Sequence, residues 1–276
     1  MPQDLTRRRL LGGLSAAGVA TLAGCTGSTP FVGRRIEDSK EFDPDGAETI
    51  AIVESTGDVS VAGDDRDTVA MDVVKQASSV RTDLEALELT RERVDDVLEF
   101  RSEYRSETGW FESEPAMNLD VAVPEELAVD RLRTSTGRIT ARNVRGDLAA
   151  ESSTGTVRIE SVDGTVAAET STGSIEIRDV AAVGSAFAST GSIDAEIPAI
   201  DGDTDVRTST GGVDAALSPD LDAELEVSTS TGSIDVGDLE LDDAHRDGDF
   251  LRATLGDGGP RLRVETSTGS IALSTL

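Results

Sequence analysis

Eight Ser-Thr-Gly tripeptides constrain this chain more than any other feature. They end at Gly57, Gly137, Gly155, Gly173, Gly191, Gly211, Gly232 and Gly269, with intervals of 80, 18, 18, 18, 20, 21 and 37 residues. Periods near 20 residues mark stacked-repeat folds. The last interval is close to twice the unit and the first close to four units. Two residues after each glycine stands a β-branched residue: Val59, Ile139, Val157, Ile175, Ile193, Val213, Ile234 and Ile271. Four residues after it the positions are again apolar, from Val61 and Ala141 through Ile177 to Leu273. The residues between are polar or glycine except Ala272, which is the signature of a half-buried strand.

Before the glycine the pattern is equally regular but shifted. Apolar residues occupy the position five before it: Ile52, Leu132, Ala150, Ala168, Ala186, Val206, Val227 and Val264. A small hydroxyl stands three before it in Thr134, Ser152, Thr170, Thr208, Thr229 and Thr266, with Glu54 and Ala188 as exceptions. The inward set is odd-numbered before the glycine and even-numbered after it, so the alternation slips by one at Ser-Thr-Gly. The tripeptide is therefore a turn, and glycine suits it because positive φ carries no steric cost there.

Two arrangements accommodate that slip. Thr-Gly can be a two-residue hairpin loop, or it can be the corner of a wound coil whose equivalent strands stack in parallel. Thr-Gly is not a favoured hairpin dipeptide. A further apolar position seven after the glycine (Val144, Val162, Val180, Leu239) suggests a short third segment closing each coil. The expected fold is all-β, a parallel β-solenoid of about 18–21-residue coils with a less regular β N-terminal part. About eleven coils are expected, spaced by about 4.8 Å. The solenoid is placed at 48–276, with irregular first coils in 48–125 and regular repeats in 126–276. Within the irregular part, LELTRERV and VLEFRSEY read as paired strands around Asp95-Asp96, against a helical stripe through Leu84, Leu87 and Val94. Trp110 and Phe111, in the loop TGWFESEP, read as a core plug or cap rather than a binding platform.

Residues 1–25 read as an address rather than as structure. Arg7, Arg8 and Arg9 precede a fifteen-residue apolar run, Leu10 to Gly24, too short for a membrane span of about 20 residues. The stretch around Arg7 and Arg8 looks like a twin-arginine export signal. Leu22-Ala23-Gly24-Cys25 resembles a lipobox whose cysteine is acylated, and Cys25 is the chain's single cysteine. Residues 26–47 read as a flexible tether. The expected location is the outer face of the cell membrane.

Charge is lopsided: 54 acidic against 25 basic residues, a formal −29, with Lys40 and Lys75 the two lysines. Such a charge opposes compaction unless salt screens it, and at molar salt the screening length falls to about 3 Å. The composition resembles that of proteins from extreme halophiles. It argues against a nucleic-acid partner, which requires basic stripes.

The order of export signal, lipid-anchor cysteine, a GDVSVAGDDRDTVAMDV opening, a VPEELAVDRLRTSTG entry and serial TSTGSI coils resembles a large family of unknown function. Its members are labelled candidate adhesins and are built of β-strand repeats; the resemblance covers roughly residues 48–276. It implies a β-solenoid-like fold and a surface location, and it implies no catalytic residues.

The residues themselves offer little chemistry. His245 is the one histidine, so a serine triad or a histidine-rich zinc site would have to use it, with no second histidine to add, and it reads as a solvent-exposed loop residue. From Glu126 onward the aromatics are Phe187 and Phe250, few for a sugar-processing cleft. Asp201, Asp203 and Asp205 alternate as a calcium loop begins, but Val206 and Gly212 stand where that loop requires Gly and Glu. They are weak metal candidates, and loose cation condensation on acidic faces is the stronger expectation. No cofactor and no catalytic residue is assigned. The expected function is that of a lipid-anchored, cell-surface structural or adhesive module whose partner is a surface protein or polysaccharide. The alternative is an envelope sensor or regulatory lipoprotein, and less favoured is an extracellular polysaccharide-active enzyme.

Overall fold

The computed structural model describes residues 33–106 and 114–276, and strand is the one regular element among them. The first seven strands are β1 (Arg34–Phe42), β2 (Thr49–Thr56), β3 (Val59–Asp64), β4 (Val69–Ala77), β5 (Leu87–Val94), β6 (Val97–Tyr104) and β7 (Ala116–Pro124). Then come β8 (Ala128–Thr136), β9 (Ile139–Arg145), β10 (Leu148–Thr154), β11 (Val157–Thr172), β12 (Ile175–Thr190), β13 (Ile193–Ile197) and β14 (Ile200–Thr210). The last seven are β15 (Val213–Leu217), β16 (Ala223–Thr231), β17 (Ile234–Val236), β18 (Asp242–Asp247), β19 (Phe250–Leu255), β20 (Arg261–Thr268) and β21 (Ile271–Thr275).

Strands on either side of a Ser-Thr-Gly do not pair with each other. Each pairs in parallel with its counterpart from another repeat: Val157 lies opposite Ile175, Ile159 opposite Ile177 and Ala168 opposite Ala186. This register excludes Thr-Gly hairpins. Strands preceding the corners stack in the order β2, β8, β10, β11, β12, β14, β20, β16, and β6, which no Ser-Thr-Gly follows, continues the stack in parallel beyond β2. Strands following the corners stack as β3, β9, β11, β12, β13, β15, β21, β17, and β7 continues this stack in parallel beyond β3.

In-register stacking turns each sequence column into a column of the core. Leu132, Ala150, Ala186, Val206 and Val264 are fully buried, as are Ile139, Val157, Ile193 and Ile271 after the corner. Val144, Val162 and Val180 are buried on the third segment, and Leu239 packs against the core. Nearest-neighbour packing of this kind makes each layer's stability depend on the next.

Antiparallel strands cover both ends of the stack. At one end β5 and β6 form a hairpin around Asp95 (φ 54°), β4 lies on β7, and β1 lies on β4. The two-strand reading of residues 87–104 is the one observed. At the other end β19 lies on β16 and β18 on β19. All six residues of β18, Asp-Asp-Ala-His-Arg-Asp, are exposed. A charged edge of this kind discourages further strand addition.

Four expectations are corrected. Residues 34–42, assigned to the flexible tether, are strand β1, because Arg34 to Phe42 finds a nine-residue antiparallel partner in β4. The 80-residue interval does not hold a serial run of coils, since β2 and β3 stack directly on β8 and β9 while the chain between them covers the end. The 37-residue interval is not two serial units: the chain leaves as β18 and β19, then β20 and β21 insert between the layers of Gly211 and Gly232. Among the described residues each stack has nine strands, where about eleven coils were expected. The signal with Arg7 and Arg8, Cys25, Trp110 and Phe111 lie outside the described residues.

Candidate binding surface at the glycine corner

The corner glycines occupy positive φ throughout, from 143° at Gly191 to 157° at Gly232. At Gly173 a Cβ would overlap the Gly155 carbonyl oxygen in the adjacent layer, far inside the contact distance of the two atoms. The corner amide instead donates onward, Gly173 N to Thr190 O at 2.9 Å. Corners thus approach backbone to backbone, which no side chain permits.

The inward hydroxyls lock these corners together. Thr134, Ser152 and Thr170 donate to the carbonyls of Gly57, Gly137 and Gly155, each at 3.0 Å. Thr208, Thr266 and Thr229 do the same to Gly191, Gly211 and Gly269 at 2.8, 2.9 and 3.0 Å. Thr229 reaches Gly269 because the final repeat lies in the adjacent layer. The column breaks at Ala188, where no hydroxyl reaches Gly173 O. Thr170→Ala should therefore cost about 0.5–1.5 kcal/mol by leaving a half-buried carbonyl without its donor. Ser171→Ala, on an exposed position, should stay within about 0.5 kcal/mol. Ala188→Thr should gain about 0.5–1.5 kcal/mol by completing the column. Denaturant unfolding of the three variants checks that order.

Glu54 is the other break. Its carboxyl is 3% exposed, and Oε1 accepts hydrogen bonds from Ser102 Oγ (2.6 Å), Ser55 N (3.1 Å) and Thr56 N (3.3 Å). Oε2 has no partner. Burial pushes its pKa up from the ordinary 4.5 to about 7, against the lowering effect of the three hydrogen bonds.

Outside the corner, Ser and Thr one and two residues before the glycine are exposed in all seven repeats from Gly137 onward. On the flat faces beside it the 18-residue register sets ion pairs between layers. Arg133 meets Glu151 (3.4 Å), Arg142 meets Glu160 (3.4 Å) and Arg158 meets Glu176 (2.5 Å). Arg178 bridges Glu176, Asp194 and Glu196 at 3.3, 2.6 and 3.2 Å. Exposed pairs are worth at most about 1 kcal/mol each. Their effect is to interrupt columns of like charge. Asp194 and Asp214 are adjacent on one such column, while Asp235 is separated from Asp214 by Ala272.

The metal candidates do not converge. Asp203 accepts from Arg261 N at 2.9 Å and pairs with its guanidinium at 3.2 Å, and Asp205 lies 3.8 Å from Arg207. Among the described residues no three His, Cys, Asp or Glu side chains are grouped to hold a metal ion. His245 is exposed on β18 opposite Arg252. A hollow of about 640 Å³ lies beside the β7–β8 turn, lined by Glu48, Asp65, Arg66, Glu126 and Arg145 among others, a mixture of charges without a nucleophile–base pair.

No curated protein matches the chain. Among solved structures, a cell-adhesion candidate from Clostridium sporogenes is similar at 12% identity and TM-score 0.32, over 88% of this chain and 100% of that one. An adhesin candidate from Bacteroides fragilis is similar at 10% identity and TM-score 0.42, over 87% and 97%. A lipid-binding candidate from Parabacteroides distasonis is similar at 13% identity and TM-score 0.32, over 86% and 96%. The family model described as Toastrack DUF4097 matches residues 40–274, nearly the whole of the strand array described above, and the chain belongs to that family.

Proposed function

We propose that this protein is a lipid-anchored, cell-surface β-solenoid with a non-catalytic structural or adhesive role. The observation that carries the reading is the repetition itself. One exposed Ser-Thr corner recurs layer after layer beside faces of alternating charge, and such an array suits many weak contacts better than one deep site. The acidic surface fits a medium of molar salt, where screening removes its self-repulsion. The anchor is Cys25, after an export signal containing Arg7 and Arg8.

Cells carrying the wild type are expected to attach and aggregate at molar salt, and cells lacking the gene are expected to lose that behaviour. Cys25→Ser should leave export intact and shed the protein into the medium, read by immunoblotting of membrane and medium fractions. A variant that stays with washed membranes would remove the lipid anchor from the reading. Unchanged attachment in the deletion strain would leave the envelope-sensor reading in place of the adhesive one.

A further inference from the structure

The outer face of the strands preceding the corner carries one feature that the repeat does not explain. Four residues before the glycine, parallel register places Glu169, Phe187, Arg207 and Glu265 in one column. Phe187 is the one aromatic side chain between β8 and β17, and it is half-buried on the outside of the sheet. The Arg207 guanidinium stands 5.0 Å from its ring centre, a cation–π arrangement. Arg207 Nε is buried without a partner, and Glu169 makes no ion pair among the described residues. Two residues nearer the corner runs a second ridge, Ser189, Ser209 and Ser267, all exposed. Between the ridges lies a groove of about 290 Å³, running across the strands along the stacking direction.

We propose that this groove binds an uncharged linear polysaccharide lying along the stack, with Phe187 and Arg207 as its central contact. The proposal rests on the surface reading above and names its ligand class. Small hydroxyls on one wall, with a guanidinium and a carboxylate on the other, offer donors and acceptors to a polyhydroxylated chain. The half-exposed ring offers an apolar surface to sugar C–H groups. The layer spacing of about 4.8 Å is comparable to the length of one pyranose unit, so successive sugars meet successive serines. An extended peptide fits less well, because backbone groups on this face are already paired within the sheet and strand addition needs an open edge. An anionic chain meets a protein of net charge −29. Hydrogen bonding and ring contact also persist where molar salt screens ionic attraction.

The test is calorimetric titration of the full-length protein, in detergent at molar salt, with cellohexaose, maltohexaose and an anionic oligogalacturonate hexamer. A neutral hexasaccharide is expected to bind and the anionic one to bind more weakly. Phe187→Ala is expected to raise Kd about tenfold with only a small fall in Tm from the lost contact with Arg207. Ser189→Tyr, which fills the groove from an exposed position, is expected to abolish binding, so the test does not depend on one variant folding. Binding by neither neutral sugar, preference for the anionic one, or an unchanged Kd in both variants overturns the proposal. Wild-type cells that attach while no sugar binds would overturn the groove and keep the adhesive reading. Sugar binding without attachment would do the reverse.

Discussion

Gly173→Val is expected to lower folding stability by about 4 kcal/mol, among the largest effects a single substitution produces. Two independent costs combine at this residue. Its φ of 145° lies where a β-branched residue is strongly disfavoured, worth about 1–3 kcal/mol by itself. The second cost is contact. The added Cβ would overlap the Gly155 carbonyl, a backbone group fixed by its own layer, so relief requires separating two layers rather than turning a side chain. Separation would also strain the Gly173 N to Thr190 O bond on the other side, and the damage would pass to both neighbours. Gly202→Val is the comparison, because Gly202 has φ 80° with nothing within 4 Å of its absent Cβ. It should show the backbone cost alone, about 1–3 kcal/mol. Chemical denaturation at molar salt measures both. A thermally silent Gly173→Val would mean that the tripeptides are recognition loops rather than corners.

Legibility followed the physics of each feature. The corner glycines, the inward columns and the third segment were readable because in-register stacking writes each structural column as a sequence period. Val144, Val162 and Val180 show this: 18 residues apart in sequence, they are opposite one another in the sheet. The order of the last layers was not readable, and for the same reason. Val206, Val227 and Val264 are interchangeable neighbours, so no pattern says that Val264 lies between the other two. Strand β1 was hidden by its composition. As an edge strand exposed over most of its length it needs few apolar residues, and Arg34 to Glu41 reads like a linker. The Phe187–Arg207 contact was obscured by the 20-residue interval in which it lies, although aligning the glycines superposes the two positions. Glu54 stood out only as a missing hydroxyl, since its burial depends on the end-covering β6, whose Ser102 a period of 18 does not reach.

Glu54→Gln is expected to stabilise the protein by about 3 kcal/mol at pH 8 and by little at pH 4. Burial raises the folded-state pKa to about 7 from an unfolded value of 4.5, so the folded protein holds the proton more tightly. Below pH 4.5 both states are protonated, and the stability associated with this carboxyl is fully present. Between pH 4.5 and 7 the unfolded chain releases the proton while the folded chain keeps it, so stability falls as pH rises. Above pH 7 the charge must be held inside and the loss is complete, at about 1.36 kcal/mol for each unit of the shift. Glutamine keeps an acceptor for Ser102 Oγ, Ser55 N and Thr56 N and carries no charge at any pH. Acid also neutralises the other carboxylates of a chain with net charge −29, which stabilises wild type and variant alike. The difference between the two, not the melting curve of either, therefore reports Glu54. Unfolding of both proteins at molar salt from pH 4 to 8 should show that difference growing from near zero to its plateau, with its midpoint between 4.5 and 7. A difference that stays constant over this range would show that the Glu54 proton is not linked to folding. The carboxylate would then be held by its three donors, with its second oxygen reached by solvent.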